Sequence, residues 1–365
     1  MKRLLAFNPE HDLALANGDR HFIAPKNIRE MARDLVPLLE VINSEGITVW
    51  GWDSVITTHL CKMGIPRTEL PTDEALSALS KRSERGTSHQ ILSTFRAEHL
   101  DMHYTGESFI IRDTKEILPY AIQHGHILLK NPLSSSGKGL RHVKGDSTPT
   151  ILPWAEALIR RHGYLTAEPY YNKVQDFAME FYVDGNGCHS IGYSLFATDH
   201  HGRYIGSHLM SDDCIEEKLA SYVPRTALHE LRDWIITHHT HIIPPEWDTT
   251  HHPLHFGIDM MIVSDQQECS NHGKQLFKIH PCVEINLRMN MGIIAHEIYR
   301  NLLSTEAQGM FHLAFFADTE ALRTFHKESS QLHPTEYIDG KLLRGYLPLT
   351  PINSETRHHA YVICK

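Results

Sequence analysis

Between Phe177 and Asn286 the chain runs repeatedly through alternating apolar and polar residues, in stretches too long for turns and of the wrong period for helices. The runs Phe177–Val183, Ser190–Thr198 and Tyr204–Met210 are separated by Asp184-Gly185-Asn186-Gly187 and by His200-His201-Gly202, residues that tight hairpins require. Strand backbone needs partner strands for its N–H and C=O groups, so an antiparallel sheet is predicted. A helix over Thr226–His239 interrupts it. Strands His255–Val263 and Gln275–Asn286 follow, with a helix beginning near Gly292.

Upstream the pattern changes. Arg3 to Phe7 reads as a short buried strand, Asn8 to Asp12 as a polar turn, and Ile28, Met31, Leu35, Leu38 and Leu39 keep a helical period before a strand at Ile47–Trp50. Strand, helix, strand predicts a parallel, Rossmann-like α/β unit whose loops at the carboxyl ends of strands are open to ligand. Asn8 to Asp12 is such a loop. Pro66 to Ser88 is polar and reads as a connection. Then come strand Phe109–Arg112, helix Thr114–His124, strand His126–Lys130, a glycine-serine loop, strand Leu140–Val143, helix Ile151–His162 and strand Tyr164–Ala167, a compact α+β module. Beyond Ser304 a Phe-rich segment and a closing strand pair carry no readable chemistry. At 365 residues the chain needs more than one core, since single cores stop growing near roughly 250–300 residues.

Charge and composition exclude several classes. A formal charge of −9 and a pI near 6.3 argue against a nucleic-acid binder, which carries a basic surplus. No run approaches the roughly 20 apolar residues that cross a bilayer, and the apolar start ends at Asn8, too soon for a signal sequence. A soluble, cytoplasmic protein without nucleic-acid or membrane partners is expected, with homo-oligomerisation left open. Cys61, Cys188, Cys214, Cys269, Cys282 and Cys364 are widely spaced, which speaks against a disulfide framework or zinc knuckle. There are 29 histidines, clustered at His238, His239 and His241 and at His251, His252 and His255. They lack zinc-site spacing and read as solvated surface residues.

Three segments carry chemistry. The first is Lys130-Asn131-Pro132-Leu133-Ser134-Ser135-Ser136-Gly137-Lys138-Gly139-Leu140, where a lysine ends an apolar strand and a Ser/Gly loop offers backbone N–H groups to phosphate. Because a strand resumes at Leu140, it is no Walker A loop; a flexible hairpin would read the same way. The second is Thr166-Ala167-Glu168-Pro169-Tyr170-Tyr171, which can offer backbone groups to adenine, followed by Asp176, an acid suited to ribose hydroxyls. A surface turn is its bland alternative. The third pairs Phe256-Gly257-Ile258-Asp259-Met260-Met261-Ile262 with Cys282-Val283-Glu284-Ile285-Asn286-Leu287-Arg288. Period two puts Glu284, Asn286 and Arg288 on one face. Carboxylates among apolar neighbours are seldom buried unless paired or holding a cation, and an oxygen-only set suits magnesium shared with phosphates. Cys282 has no evident base beside it and reads as core packing.

Taken in order, these elements resemble the ATP-grasp superfamily over roughly residues 80–300. The resemblance implies an N-terminal α/β lobe at 1–85, a small α+β subdomain with a phosphate lid at 86–170, an antiparallel-sheet subdomain with the metal site at 171–303, and a C-terminal extension at 304–365. It implies that Lys130 holds the α- and β-phosphates, that Ser134, Ser135, Ser136, Gly137, Lys138 and Gly139 form the lid, that Glu168, Pro169, Tyr170 and Tyr171 hold adenine, and that Asp176 holds ribose. Asp259, Glu284 and Asn286 would ligate two magnesium ions, with manganese as a substitute. Arg288 would steady the transferred phosphoryl group. The family's earlier phosphate-binding lysine has its positional match in Arg85, with Lys81 and Arg82 nearby. Gly257 stands where D-alanine-type ligases carry an arginine, which separates the chain from that subgroup's substrate chemistry.

The implied reaction is phosphoryl transfer from ATP to a small-molecule carboxylate, then attack by an amine. Asn8, Glu10, His11 and Asp12 are the substrate-side candidates, against a turn with a helix cap. The competing readings are an ATP-grasp kinase acting on a hydroxyl and a nucleotide-binding regulator without turnover.

Overall fold

The computed structural model describes residues 4–42, 46–134, 139–144, 150–198, 204–265 and 276–365. Strands β1 (Leu4–Ala6) and β2 (Ile47–Val49) pair in parallel, Leu4 opposite Ile47, with helices α1 (His11–Asn17) and α2 (Lys26–Leu35) between them. Among the described residues this parallel sheet has two strands. Helix α3 (Ser54–Lys62) follows, capped by Asp53, whose carboxylate accepts from the Val55 and Ile56 amides at 2.8 Å each.

The expected connection at Pro66–Ser88 is helical instead, as α4 (Asp73–Arg82) and the start of α5 (Arg85–Glu98). Thr72 caps α4 at 3.1 Å from the Ala75 amide. Only Ala75, Leu76 and Leu79 of α4 are buried, a stripe too short to stand out against its polar flanks.

Next, β3 (Phe109–Ile111), α6 (Ile117–His124), β4 (His126–Lys130), β5 (Leu140–Lys144), α7 (Leu152–His162) and β6 (Leu165–Pro169) build a four-stranded sheet in the order β3-β6-β4-β5. Its core is Ile111, Ile117, Ala121, Ile127, Leu129, Val143, Ala155, Leu165 and Ala167. Gly163 ends α7 in the left-handed region at φ 81°, where residues with a Cβ are strained.

The long strands are β7 (Lys173–Asp184), β8 (Gly187–Thr198), β9 (Tyr204–Leu209), β10 (Leu254–Asp265) and β11 (Leu276–Asn286). The turn at Asp184-Gly185-Asn186-Gly187 joins β7 to β8 as expected, whereas His200-His201-Gly202 lies outside the described residues. Helix α8 (Asp212–Ala220) was not expected; it precedes α9 (Arg225–Thr237). After α10 (Met291–Leu302), strand β12 (Gly309–Phe315), helix α11 (Thr319–Leu332) and strands β13 (Glu336–Ile338), β14 (Lys341–Pro348) and β15 (His358–Cys364) complete the chain. Among the described residues nine strands form one sheet, β11-β10-β7-β8-β9-β12-β15-β14-β13. The segment after Ser304 therefore extends the central sheet: β12 pairs with β9.

One face of β7 and β10 presents Phe177, Met179, Phe181, Val183, Phe256, Ile258, Met260 and Ile262 to a core shared with α3, α4, α5, α8 and α9. A second core lies under α2 and α10 against β9, β12 and β15. No described helix is long and apolar enough to cross a membrane. His255 corrects the expectation of surface histidines in a loop: it lies in β10, where burial pushes its imidazole down to about 4.

Candidate functional site

The opposite face of the same strands is polar where it meets the small sheet. Asp259 on β10 stands directly opposite Glu284 on β11 and Ala178 on β7, and Gly257 stands opposite Asn286 and Glu180. Alternation thus gathers Asp259, Glu284, Asn286 and Glu180 on one face. Burial, then the carboxylates of Glu284 and Glu180, push Asp259 up to about 8, against a hydrogen bond from Asn286. Two adjoining carboxylates and an amide form an oxygen-only donor set. Among the described residues no three of His, Cys, Asp and Glu converge into a complete cage. Oxygen donors are the kind that magnesium takes alongside waters and phosphate oxygens.

Glu180 is a site residue that the sequence reading missed. Its carboxyl is buried, receives Asn290 Nδ2 at 2.7 Å and Ser194 Oγ at 2.9 Å, and is pushed up to about 7, chiefly by burial. Asn290 also caps α10, its Oδ1 accepting from the Ile293 amide at 3.0 Å. A Cβ on Gly257 would collide with Asn290 and Glu180, and one on Gly292 with Glu180 and Ser194, so both glycines let the helix end close over the carboxyl. The missed signal was a single glutamate in the apolar run Phe177-Ala178-Met179-Glu180-Phe181, the same signal that marked Asp259.

Three cations surround the acids. Arg85 is buried at the start of α5 and meets Glu284 at 2.9 Å while its Nε donates to the Asn131 carbonyl at 3.1 Å. Lys130 ends β4, pairs with Glu168 at 2.5 Å and lies 3.4 Å from the Val283 carbonyl on β11, so it spans the cleft between the two sheets. Glu168 accordingly offers its side chain to Lys130. Arg288 lies beyond the end of β11 and makes a two-pronged ion pair with Asp12 at 2.9 and 2.7 Å. Burial alone would raise Asp12, but the guanidinium outweighs it and holds the carboxyl below its ordinary range.

Of the lid, Ser135, Ser136, Gly137 and Lys138 lie outside the described residues. At its base the Asn131 amide donates to the Gly139 carbonyl at 2.9 Å, and Ser134 Oγ is buried without a hydrogen-bond partner. Beyond Pro169, Tyr170 stacks on His126 at 4.2 Å, and the Tyr171 hydroxyl accepts from the Glu107 amide at 2.8 Å. Asp176 lies opposite Met261, on the Asp259 face, and meets Lys173 at 2.5 Å. His280, also unforeseen, is fully buried between Tyr171 and Gly106; both ring nitrogens lack partners, and burial followed by Lys130 pushes it down to about 3.

At the N-terminal side Asn8 and His11 are buried. His11 and Asp12 occupy the first turn of α1 rather than a loop. His11 Nδ1 lies 2.9 Å from Asp53 Oδ2, which also receives Asn8 Nδ2 at 3.1 Å. Glu10 is raised by burial, and its Oε2 is buried without a partner. A narrow recess gathers His11, Asp12, Ser134, Glu284, Asn286 and Arg288. A larger cavity of about 900 Å³, lined by Lys81, Arg82, His89 and Arg112, includes none of the acids of the recess. Cys282 is buried, and burial pushes its thiol well up, as core packing requires.

No protein-family model matches the chain. No curated protein matches it either. Among solved structures it is similar to N5-carboxyaminoimidazole synthetase from Staphylococcus aureus complexed with ADP, at TM-score 0.48 and 13% identity over 98% of this chain and 86% of that one. It is also similar to a biotin carboxylase ATP-analogue complex from Campylobacter jejuni, at TM-score 0.49 and 14% identity over 90% and 72%. A third is D-alanyl-alanine synthetase A from Vibrio cholerae, at TM-score 0.40 and 13% identity over 69% and 70%. At these scores and identities no function follows from the likeness.

Proposed function

We propose that the chain is an ATP-grasp ligase that uses ATP and magnesium to activate a small-molecule carboxylate as an acyl-phosphate and joins it to an amine. One observation carries this reading: Asp259 faces Glu284 across two strands with Asn286 beside them, and Arg85, Lys130 and Arg288 ring the group. A carboxyl face collared by cations suits a metal–phosphate complex, because the metal neutralises the acids and the phosphates engage the cations. Asp259, Glu284 and Asn286 would hold two ions, and manganese, equally an oxygen-site metal, would substitute. The unpartnered Ser134 Oγ and His280 nitrogens are further polar atoms for a nucleotide to satisfy.

In this reading Lys130 and Arg85 hold the nonreacting phosphates, the segment from Ser134 to Gly139 closes over them, and the residues from Glu168 to Tyr171 with Asp176 hold the nucleoside. Arg288, oriented by Asp12, steadies the transferred phosphoryl group. Bound magnesium supplies charge neutralisation on the phosphate oxygens. The carboxylate and amine meet in the recess beside Asn8, Glu10, His11 and Asp12, which places the reaction between the N-terminal lobe and the central sheet. A cytoplasmic setting supplies both ATP and magnesium.

Purified protein incubated with ATP, magnesium and a protein-free metabolite extract tests the reading by ADP release and mass spectrometry of the new product. An amide product is expected. A stable phosphorylated alcohol would make the chain a kinase, and no ATP consumption across a broad panel would make it a regulator. Glu284→Gln is expected to abolish turnover with the fold intact, and Lys130→Ala to weaken ATP binding chiefly. Normal turnover in Glu284→Gln would overturn the metal assignment.

A further inference from the structure

The recess that holds Glu284, Asn286 and Arg288 is also lined by a histidine. His11 is buried in the first turn of α1, its ring pressed so close to Gly51 that a Cβ there would lie 2.5 Å from the imidazole. Its Nδ1 lies 2.9 Å from Asp53 Oδ2. Asp53 is itself fixed: Oδ1 accepts the Val55 and Ile56 amides at the start of α3, and Oδ2 also receives Asn8 Nδ2, which in turn bonds the Gly51 carbonyl at 2.8 Å. Asp53 thus caps a helix, accepts from Asn8 and holds this ring. A carboxylate on Nδ1 selects the tautomer with the proton there and leaves Nε2 as an acceptor. The ring itself lines the recess beside Asp12, Glu284 and Arg288.

Formation of an amide from an acyl-phosphate requires a neutral amine and a group to take the proton it sheds. We propose that His11, oriented by Asp53, is the general base for that second step; this rests on the ligase reading above. The amine nitrogen bonds to the acyl carbon as the C–O bond to the phosphoryl group breaks, its electron pair leaving on phosphate. The proton released from nitrogen passes to His11 Nε2 and on to solvent or the departing phosphate. The charged groups around the ring are Asp53 from α3, Glu10 and Asp12 from its own segment, Arg288 held by Asp12, and Glu284 across the recess.

Hydroxylamine separates the two steps, because near neutral pH it is already uncharged and captures acyl-phosphates without a base. Wild type, His11→Gln and Asp53→Asn are compared with ATP, magnesium and metabolite extract, with and without excess hydroxylamine, reading amide product, hydroxamate and ADP. His11→Gln is expected to lower amide formation about 10²–10³-fold, the usual worth of a positioned base, while hydroxamate formation is retained. Asp53→Asn keeps a competent helix cap and should show the same selective loss in smaller measure. Equal loss in both arms, or loss in neither, overturns the base. Absence of ADP and hydroxamate from wild type overturns the ligase reading itself, and the base falls with it.

Discussion

Asp259 and Glu180 sit in the fold as carboxyls that resist ionisation, because sheet burial opposes it in both and the charges of Glu284 and Glu180 add to it at Asp259. Each binds its proton more tightly folded than unfolded. Their contribution to stability is therefore full below the ordinary carboxyl values and is lost as pH rises to about 7 for Glu180 and about 8 for Asp259. His255 and His280 act in the opposite sense: held neutral by burial, they favour the fold above 6.5 and lose that contribution as pH falls through about 4 and about 3. Above pH 6.5 only the carboxyl effect remains. With divalent ions chelated, the unfolding free energy should fall between pH 6.5 and about 8, by up to about 1.4 kcal/mol per pH unit for each titrating carboxyl, and the melting temperature with it. Asp259→Asn should flatten this decline, and excess magnesium should remove it, since the ion stabilises the ionised form. A wild-type melting curve that is flat with pH in chelator would contradict the burial of these acids.

At the scale of elements, the contact between α10 and the central sheet turns on two glycines. Gly257→Ala places a Cβ against Asn290 and Glu180 in a site with no slack. The expected cost is about 1–3 kcal/mol of overpacking, read by chemical denaturation. A change under about 0.5 kcal/mol, typical of surface substitutions, would show that the helix end is free to shift. This contact also shows what the sequence can and cannot reveal. The strands His126–Lys130 and Leu276–Asn286 were legible because their alternation or apolar run was long. Helix α4 and the role of Gly257 were not: one buries too short a stripe, and the other matters only for a helix packed from elsewhere in the chain. The site was legible in the same uneven way. Asp259, Glu284 and Asn286 declare themselves as polar residues in strands, and the register places them side by side. The partnerships of Arg85 with Glu284, Lys130 with Glu168 and Arg288 with Asp12 join segments far apart in sequence and leave no local trace.

For the whole molecule, the pair Asp12–Arg288 joins helix α1 to the segment after β11 at the edge of the recess, with further support where the Met289 amide donates to the Trp50 carbonyl at 2.9 Å. Both side chains are largely shielded, 17% and 20% exposed, so removing one leaves the other charged without its partner. Asp12→Asn should destabilise the protein by about 3 kcal/mol, the low end for a broken buried pair. The combined change of Asp12→Leu with Arg288→Met removes both charges and should recover most of that stability, because apolar replacements often match a buried pair. If Arg288 serves the phosphoryl group, the double variant will be stable and still inactive in ADP formation. Recovery of turnover together with stability would mean that the pair only fastens one lobe to the other. Denaturation and ADP release measured on the same three proteins distinguish a fastening from a phosphoryl clamp that the first lobe holds in place.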